Sequence, residues 1–294
     1  MTALRRALVA APPMLWLGLF FLLPFLIVLK ISLSHAALAI PPYAPHWSGL
    51  DSWREFLAAL GVENYRTLAE DGLYLTAYLS SLRLAATATA LTLLIGFPLA
   101  YAIARAPRGW RPLLVVAVVL PFWTSFLIRV YAWIAILRPE GVLDSILMAL
   151  GVTSAPLNLL NTQTAVLIGM VYSYLPFMVL PLYASLERLD RTLIEAAQDL
   201  GASAWRAFWT VTVPLAKPGI WAGVFLVLIP SIGEFVIPDL LGGSDTLMVG
   251  KVLWTEFFSN RDWPLASAVA VVMLVILVGP ILIFQRVAKM ERAR

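Results

Sequence analysis

One acidic residue inside a long apolar segment is the first candidate for chemistry. Glu234 lies within Pro218–Ile237, where every other residue is uncharged. A charge in such a segment is costly, so it usually binds a ligand or forms an ion pair. A carboxylate beside an aromatic ring, here Phe235, suits a flexible diammonium compound through charge pairing and cation–π contact. The alternative is a buried structural ion pair between Glu234 and Arg129, which would leave no free charge for a ligand.

Other side chains could line a path that leads to this acid. Asp239 follows Glu234 and is expected near the outer end of the same segment. The aromatic candidates for the path are Trp123, Tyr131, Trp133, Tyr172 and Tyr174. For each of them the alternative is ordinary packing, or anchoring at the membrane–water interface.

Most catalytic chemistry is excluded by residue type. The absence of cysteine excludes disulfides, thiolate zinc sites, iron–sulfur clusters and cysteine nucleophiles. Two histidines leave little for a metal site, so we expect no bound metal or cofactor. The Gly250-Lys251 pair has Asp245 where a Walker A loop has its first glycine. We therefore expect the chain to have no catalytic site and to hydrolyse no ATP by itself.

The segment around Glu195 has a pattern typical of a helix–turn–helix. Thr192 and Glu195 have the spacing of a capping box, which predicts a helix that begins at Thr192. Gly201 supplies the turn. Ser203 can cap the second helix, which is expected to end before Pro214. The alternative is a surface hairpin that only links two membrane spans.

Composition determines the setting of these residues. The chain has 294 residues, of which 61% are hydrophobic and 13% are charged, against about 45–50% and about 25% in soluble proteins. Since a soluble fold could not bury so much apolar surface, we predict an all-α polytopic membrane protein, with residues 1–294 forming one transmembrane domain. The six predicted transmembrane helices are 7–33, 76–104, 112–137, 161–186, 218–238 and 264–285, and the long loop is 187–217.

The first apolar run has one alternative interpretation. Ala37-Leu38-Ala39 resembles the cleavage site of a signal peptide. The hydrophobic region of a signal peptide has only about 7–15 residues. The uncharged run Ala7–Leu29 is longer than this, so we interpret it as a membrane span.

The distribution of basic residues predicts the orientation. Lys and Arg are enriched on the cytoplasmic side of membrane proteins. Of the 21 basic residues, 13 flank the spans on one side. They are Arg5, Arg6, Arg105, Arg108, Arg111, Arg188, Arg191, Arg206, Lys217, Arg286, Lys289, Arg292 and Arg294. This side, which includes the 187–217 loop and both termini, is expected to be cytoplasmic. Since the basic excess is explained by this topology, we expect no nucleic-acid partner.

The cytoplasmic loop resembles the EAA motif of ABC importer permeases. That motif has Glu-Ala-Ala, three residues, glycine, nine residues, and an aliphatic pair that ends in proline. Val211 and Val213 stand at the aliphatic positions. The other matching residues are Glu195, Ala196, Ala197, Gly201 and Pro214.

The resemblance implies a type I importer permease whose Glu195 helix couples the spans to a separate ATPase subunit. Glu195 would contact that ATPase or complete the helix cap, and the two roles are compatible. The implied partners are two ATPase subunits, a homologous second permease and an extracytoplasmic solute-binding protein. The implied location is the bacterial inner membrane, in contact with lipid. ATP and Mg²⁺ would bind the ATPase subunits rather than this chain.

Longer stretches are similar to the spermidine/putrescine family of importer permeases, above all to the first permease subunit of putrescine-type systems. The similarity extends from about Leu15 to Pro280. It is carried by Pro121–Leu137, Tyr174–Asp190, Ile229–Gly243 and Lys251–Ala270. The implied cargo is putrescine or a related polyamine. The alternatives are another small solute carried by an ABC permease, an ATPase-independent secondary transporter or channel and, last, a membrane enzyme.

Overall fold

The computed structural model describes residues 3–46 and 53–292, and most of them are helical. The chain divides into two compact units, one within Met1–Tyr78 and Val252–Arg294 and the other within Leu79–Lys251. Helices lie over all six predicted spans. Within the described residues, four of them are long and apolar enough to cross a membrane, or five if the bent pair over 111–149 is one span. Arg294, which belongs to the basic residues counted for the orientation, lies outside the described residues. The prediction of one transmembrane domain over residues 1–294 stays a prediction.

In the first unit, the first predicted span is a helix interrupted by one wide turn. Helix α1 (Ala3–Leu17) leads through a π-helical turn (Gly18–Leu22) into α2 (Leu23–Ser32). Val9–Ser32 is long and apolar enough to cross a membrane, and its most apolar window is not buried inside the chain. The apolar surface of this span is therefore available to lipid or to another protein.

A short hairpin follows α2 and departs from the predicted all-α class. Strand β1 (His35–Ala36) pairs antiparallel with β2 (Tyr43–Ala44), with His35 opposite Ala44. Two strands of this length cannot form a core, so the hairpin is a surface feature of a helical protein.

Helix α15 joins the two sequence segments of the first unit. It extends over Trp263–Arg292 and packs against α2 and α4 (Glu63–Glu70), which follows α3 (Trp53–Ala58). Asn64 Nδ2 on α4 donates hydrogen bonds of 2.8 Å to the carbonyls of Ser32 and Ser34. One amide thereby satisfies the last carbonyl of α2, which helix geometry leaves without an intrahelical partner, and a second carbonyl two residues after the helix.

The second unit contains the longest helices. Its elements are α5 (Gly72–Arg105, beginning in the first unit), α6 (Arg111–Val119), α7 (Phe126–Leu137), α8 (Val142–Ala149), α9 (Gln163–Glu187), α10 (Thr192–Asp199), α11 (Ala204–Ala207), α12 (Val213–Ile232), α13 (Val236–Leu241) and α14 (Val249–Trp254, ending in the first unit). Segments Gly72–Arg105, Gln163–Glu187 and Ala204–Ile232 are each long and apolar enough to cross a membrane.

The third predicted span, 112–137, is not one straight helix. Its two parts, Arg111–Trp123 and Phe126–Ala149, are bent by 89° relative to each other. Thr124 and Ser125 between them have extended backbones, with ψ of 153° and 137°. Pro121 lies just before the bend and cannot donate a helical hydrogen bond, which explains why the helix ends there.

The fifth predicted span, 218–238, has different boundaries at both ends. The prediction that the preceding helix ends before Pro214 is wrong, because Ala204–Ile232 is continuous. A π-helical turn (Phe208–Thr212) comes just before this proline, and its wider backbone relieves the clash with the preceding carbonyl. The far end breaks at residues 233–235, whereas Pro230 and Pro238 lie inside helices.

Helices α9 and α12 of the second unit pack closely against each other. A Cβ atom at Gly219 would lie 2.7 Å from the Pro181 carbonyl oxygen, and one at Gly223 would lie 2.6 Å from the Met178 sulfur. Small residues at such an interface let two membrane helices approach each other closely. The α9–α12 spacing therefore depends on two residues that have no side chain.

We expect Gly219→Ala to destabilise the protein. The added methyl group meets backbone on α9, and overpacking of this kind costs about 1–3 kcal/mol. Gly72→Ala is the matched control, because a Cβ at Gly72 meets nothing within 4 Å. Unfolding of the purified protein in mixed micelles measures both variants. Equal stability of the two variants would contradict the close packing.

Candidate functional site

The predicted helix–turn–helix is present, and Gly201 forms its turn. Gly201 has a φ of +87°, and a Cβ atom there would meet nothing within 4 Å. The glycine is thus required by its left-handed backbone and not by lack of space. The Ser203 hydroxyl accepts a hydrogen bond from the Arg206 backbone N–H at 3.3 Å. The prediction that Ser203 caps the second helix is confirmed.

The first helix of the hairpin begins at Thr192, as predicted, but it is not capped as predicted. Thr192 is its first residue and not its cap, and the Asp190 carboxylate accepts a hydrogen bond from the Thr192 N–H at 3.0 Å. The capping box with Glu195 is therefore wrong, because the residue at the N-cap position is Arg191 and, among the described residues, the Thr192 side chain accepts no capping hydrogen bond. Within the described part of the chain, the Glu195 carboxylate is exposed and accepts no hydrogen bond. A contact with another protein stays a prediction for it.

The helix–turn–helix exposes large apolar side chains. Leu200 is 90% exposed and Trp205 is 70% exposed. Leu193 and Trp209 are also exposed, as is Ala196, whereas Ala197 is partly buried. Exposed apolar patches of this kind mark protein or membrane contacts. The sequence reasoning missed the two tryptophans, although their i, i+4 spacing in a loop was a usable signal.

Glu234 lies in the break between α12 and α13 and is partly buried. Its Oε2 accepts a hydrogen bond from the Tyr174 hydroxyl at 2.5 Å. Its Oε1 accepts hydrogen bonds from the N–H groups of Val236 at 3.1 Å and Ile237 at 3.4 Å. The carboxylate thus caps the first turn of α13 and is held from the other side by α9. Phe235, also partly buried, follows it in the break.

The alternative ion pair between Glu234 and Arg129 is not formed. In the described part of the chain no basic group lies within 4.0 Å of the Glu234 carboxylate. The Arg129 guanidinium lies 4.9 Å from the centre of the Phe122 ring, and its Nε and Nη1 atoms are buried without hydrogen-bond partners. Aromatic rings, which attract cations, therefore contact the Arg129 guanidinium in place of the Glu234 carboxylate.

Aromatic rings connect these two charged groups. The ring centres of Tyr174 and Phe177 are 6.2 Å apart, and those of Phe177 and Phe122 are 5.2 Å apart. Tyr174 is therefore the aromatic candidate that the structure places on Glu234. The other candidates lie elsewhere: Tyr172 packs on Trp133 with ring centres 5.3 Å apart, and Trp123 and Tyr131 are exposed.

Asp239 is already paired with a cation. Its Oδ1 lies 3.1 Å from Lys251 Nζ, and both side chains are partly exposed. The neighbouring residue, Gly250, approaches the break so closely that a Cβ there would lie 2.7 Å from the Glu234 carbonyl oxygen. The sequence reasoning missed Lys251, which was counted only as a base outside the cytoplasmic set. Of the two acids, Glu234 is the one without a basic partner in the described residues.

The fold agrees with comparisons to known proteins. The family model described as "Binding-protein-dependent transport system inner membrane component" matches residues 7–290. The chain belongs to this family. This permease is 41% identical over 275 residues to the spermidine/putrescine transport system permease protein PotB of Haemophilus influenzae, an alignment that covers 94% of this chain and 91% of that one. The predicted membership in an importer permease family is confirmed.

Two solved structures share the fold of the permease. The crystal structure of a bacterial ABC transporter that imports the acidic polysaccharide alginate matches with a TM-score of 0.65 at 20% identity, covering 96% of both chains. The alginate transporter in complex with its pentasaccharide-bound periplasmic protein matches with a TM-score of 0.63 at 20% identity over 93% of both chains. The predicted type I importer permease fold is thus confirmed.

A double-mutant cycle tests the contacts of Glu234. We expect Glu234→Gln and Tyr174→Phe to couple by about 0.5–3 kcal/mol, as residues that share a hydrogen bond do. Glu234→Gln and Arg129→Gln should be additive, because no ion pair joins them. Unfolding free energies of the purified permease variants give both terms. A large coupling with Arg129 and none with Tyr174 would contradict the geometry.

Proposed function

We propose that this permease subunit belongs to an ATP-driven ABC importer that carries putrescine or a related polyamine across the inner membrane. The observation that carries the cargo proposal is Glu234. It is an acid in a helix break, beside Phe235 and Tyr174, with no basic partner among the described residues. Its hydrogen bonds occupy one lone pair of Oε2 and the face of Oε1 toward α13. An ammonium group could still approach the remaining lone pairs.

The name of the Haemophilus influenzae relative agrees with this cargo, since that protein serves spermidine/putrescine transport. A polyamine has ammonium groups separated by methylene chains. The carboxylate would pair with one ammonium, and the Phe235 ring would contact the chain between ammonium groups. Discontinuous helices in membranes are frequent substrate sites, because unwound backbone is tolerated only where it lines a cavity or is buried.

We propose that Asp239 does not make the first contact with the substrate, because it is already paired with Lys251. Its ion pair with Lys251 would have to open before an ammonium could take the place of the lysine. Both side chains are partly exposed, so this exchange costs little, as for other surface ion pairs. Asp239 would then bind an ammonium only while Lys251 is displaced, and Lys251 would return to it when the substrate leaves. The other aromatic candidates, Trp123, Tyr131 and Tyr172, would contribute only if the path extends beyond the described contacts of Glu234.

The hairpin Thr192–Ala207 is the proposed contact with an ATPase subunit. Glu195, Ala196, Ala197 and Gly201 present its docking surface, and Pro214 lies where the hairpin continues into the span. The exposed Leu200 and Trp205 support this role, because they are apolar groups that a partner would cover. ATP and Mg²⁺ would bind that partner. The proposed complex has two ATPase subunits, a second permease and a solute-binding protein, and both termini of this chain are cytoplasmic.

We expect Gly201→Val to uncouple ATP hydrolysis from uptake. A β-branched residue at a φ of +87° is strained, so the turn would change shape while the residues of the spans stay the same. Gly151→Val is the matched control, because Gly151 has a φ of +70° and open space, but lies outside the hairpin. ATPase activity and polyamine uptake of reconstituted complexes are measured for both variants. Coupled uptake in Gly201→Val would refute the docking role, and uptake without any ATPase would favour a secondary transporter.

We expect Glu234→Gln to raise the KM for polyamine by about tenfold or more, because a charge-assisted hydrogen bond contributes about 1.5–3 kcal/mol. Asp239→Asn is the control, with a smaller expected effect because Lys251 already shields that acid. Uptake is measured in reconstituted complexes and normalised to assembled protein. A parental KM in Glu234→Gln would show that this acid does not contact the substrate.

A further inference from the structure

Four arginines surround one open cavity where several apolar helices end. The cavity has a volume of about 580 Å³ and lies between the α5–α6 loop and the segment from α9 to α10. Its basic lining consists of Arg105, Arg108, Arg111 and Arg191. All of these residues belong to the second unit. A cavity with this lining has the chemistry of an anion site.

The two acids at this cavity are already engaged. Glu187 lies 3.4 Å from Arg111 Nη1, and Asp190 caps the Thr192 N–H. Arg111 is also held in place, since its Nε donates a 2.9 Å hydrogen bond to the Ala106 carbonyl. Its side chain is only 17% exposed. Arg111 is therefore a largely buried part of the cavity lining whose side chain is held in one position.

The other three arginines have no acidic partner among the described residues. Arg105 stacks over the Tyr101 ring at 4.4 Å. In the part of the chain that the structure describes, no carboxylate lies within ion-pair distance of Arg105, Arg108 or Arg191. Three guanidinium groups around one cavity repel each other, so an anion that binds among them would be stabilised.

An apolar stripe begins beside the cavity and follows α6. It consists of Trp110, Leu113, Val116 and Leu120, which are 60%, 59%, 45% and 53% exposed. Their spacing of three or four residues places them on one side of the helix. Trp110 is next in sequence to Arg111, so the stripe starts where the arginines end. A tryptophan at the end of an apolar helix is typical of the lipid headgroup region.

We propose that the arginine cavity binds the phosphate of an anionic phospholipid whose acyl chain lies along the stripe of α6. The guanidinium groups match a phosphate through paired N–H donors, and basic pockets between membrane helices are known to accept lipid headgroups. The apolar stripe favours a lipid over free phosphate, because the acyl chain of a lipid can cover the stripe and a soluble anion cannot. This site is independent of the polyamine cargo.

The location of the site connects the bound lipid to the helix–turn–helix. A second cavity, of about 230 Å³, shares Arg105 and Arg191 with the first and is also lined by Glu195 and Gln198 of α10. Arg191 is the residue immediately before α10. A phosphate that holds Arg191 would therefore fix the start of the hairpin helix.

Lipid binding to the full-length chain tests the proposal directly. Delipidated protein in detergent is titrated with dioleoylphosphatidylglycerol or dioleoylphosphatidylcholine, and bound lipid is counted by native mass spectrometry. We expect the anionic lipid to bind more tightly. In Arg105→Gln/Arg108→Gln its affinity should fall by about thirtyfold, from the usual contribution of each base near a lipid surface.

Matched variants and competitors give the contrary outcomes. Arg206→Gln/Lys217→Gln removes the same charge outside the cavity, and an equal loss there would reduce the effect to general surface charge and overturn the site. Equal binding of the two lipids would also overturn it. Displacement of the lipid by equimolar inorganic phosphate or glycerol phosphate would show a soluble-anion site instead. If the glutamine variant does not fold, Arg105→Lys/Arg108→Lys keeps the charge, and a parental affinity in it would refute binding through guanidinium geometry.

Discussion

The close approach of α9 and α12 is the constraint on which the second unit depends. A Cβ atom at Gly219 or Gly223 would lie within 2.7 Å of an atom on α9, so a larger residue at either position would force the two helices apart. Tyr174 is on α9, and Glu234 follows directly after α12. Their 2.5 Å hydrogen bond exists only while that close approach is kept. Packing between apolar helices therefore sets the position of the one acid in the break.

The sequence predicted local features well where the signal is contained in a few neighbouring residues. Gly201 and Ser203 were identified from turn and cap chemistry, and both have the expected geometry. Apolar runs likewise located all six helical regions. Helix boundaries were less predictable. A proline predicts the end of a helix, but the helix continues where the backbone before the proline changes its geometry. The π-helical turn before Pro214 is such an adaptation, and no residue pattern in the sequence announces it.

Pairing of charges across the fold could not be predicted from the sequence. Glu234 and Arg129 were natural partners by charge, yet the structure gives the acid to Tyr174 and backbone N–H groups, and the base to the Phe122 ring. Which pair forms depends on the side of each helix that faces the break. The ion pair between Asp239 and Lys251, which lies twelve residues further along the chain, could not be predicted for the same reason. Long-range contacts of this kind require knowledge of helix rotation, which one sequence does not contain.

The continuity of Ala204–Ile232 has a mechanical consequence. The hairpin and the fifth span share one helix of 29 residues, which is about 40 Å long at 1.5 Å per residue. A tilt applied to the end that carries Trp205 would reach the far end without an intervening hinge, apart from one widened turn. The next joint is at residues 233–235, where Glu234 lies. The helix therefore ends at the break that contains the acid. A rotation of the helix too small to disturb the α9 contact would still change the direction in which the Glu234 carboxylate points.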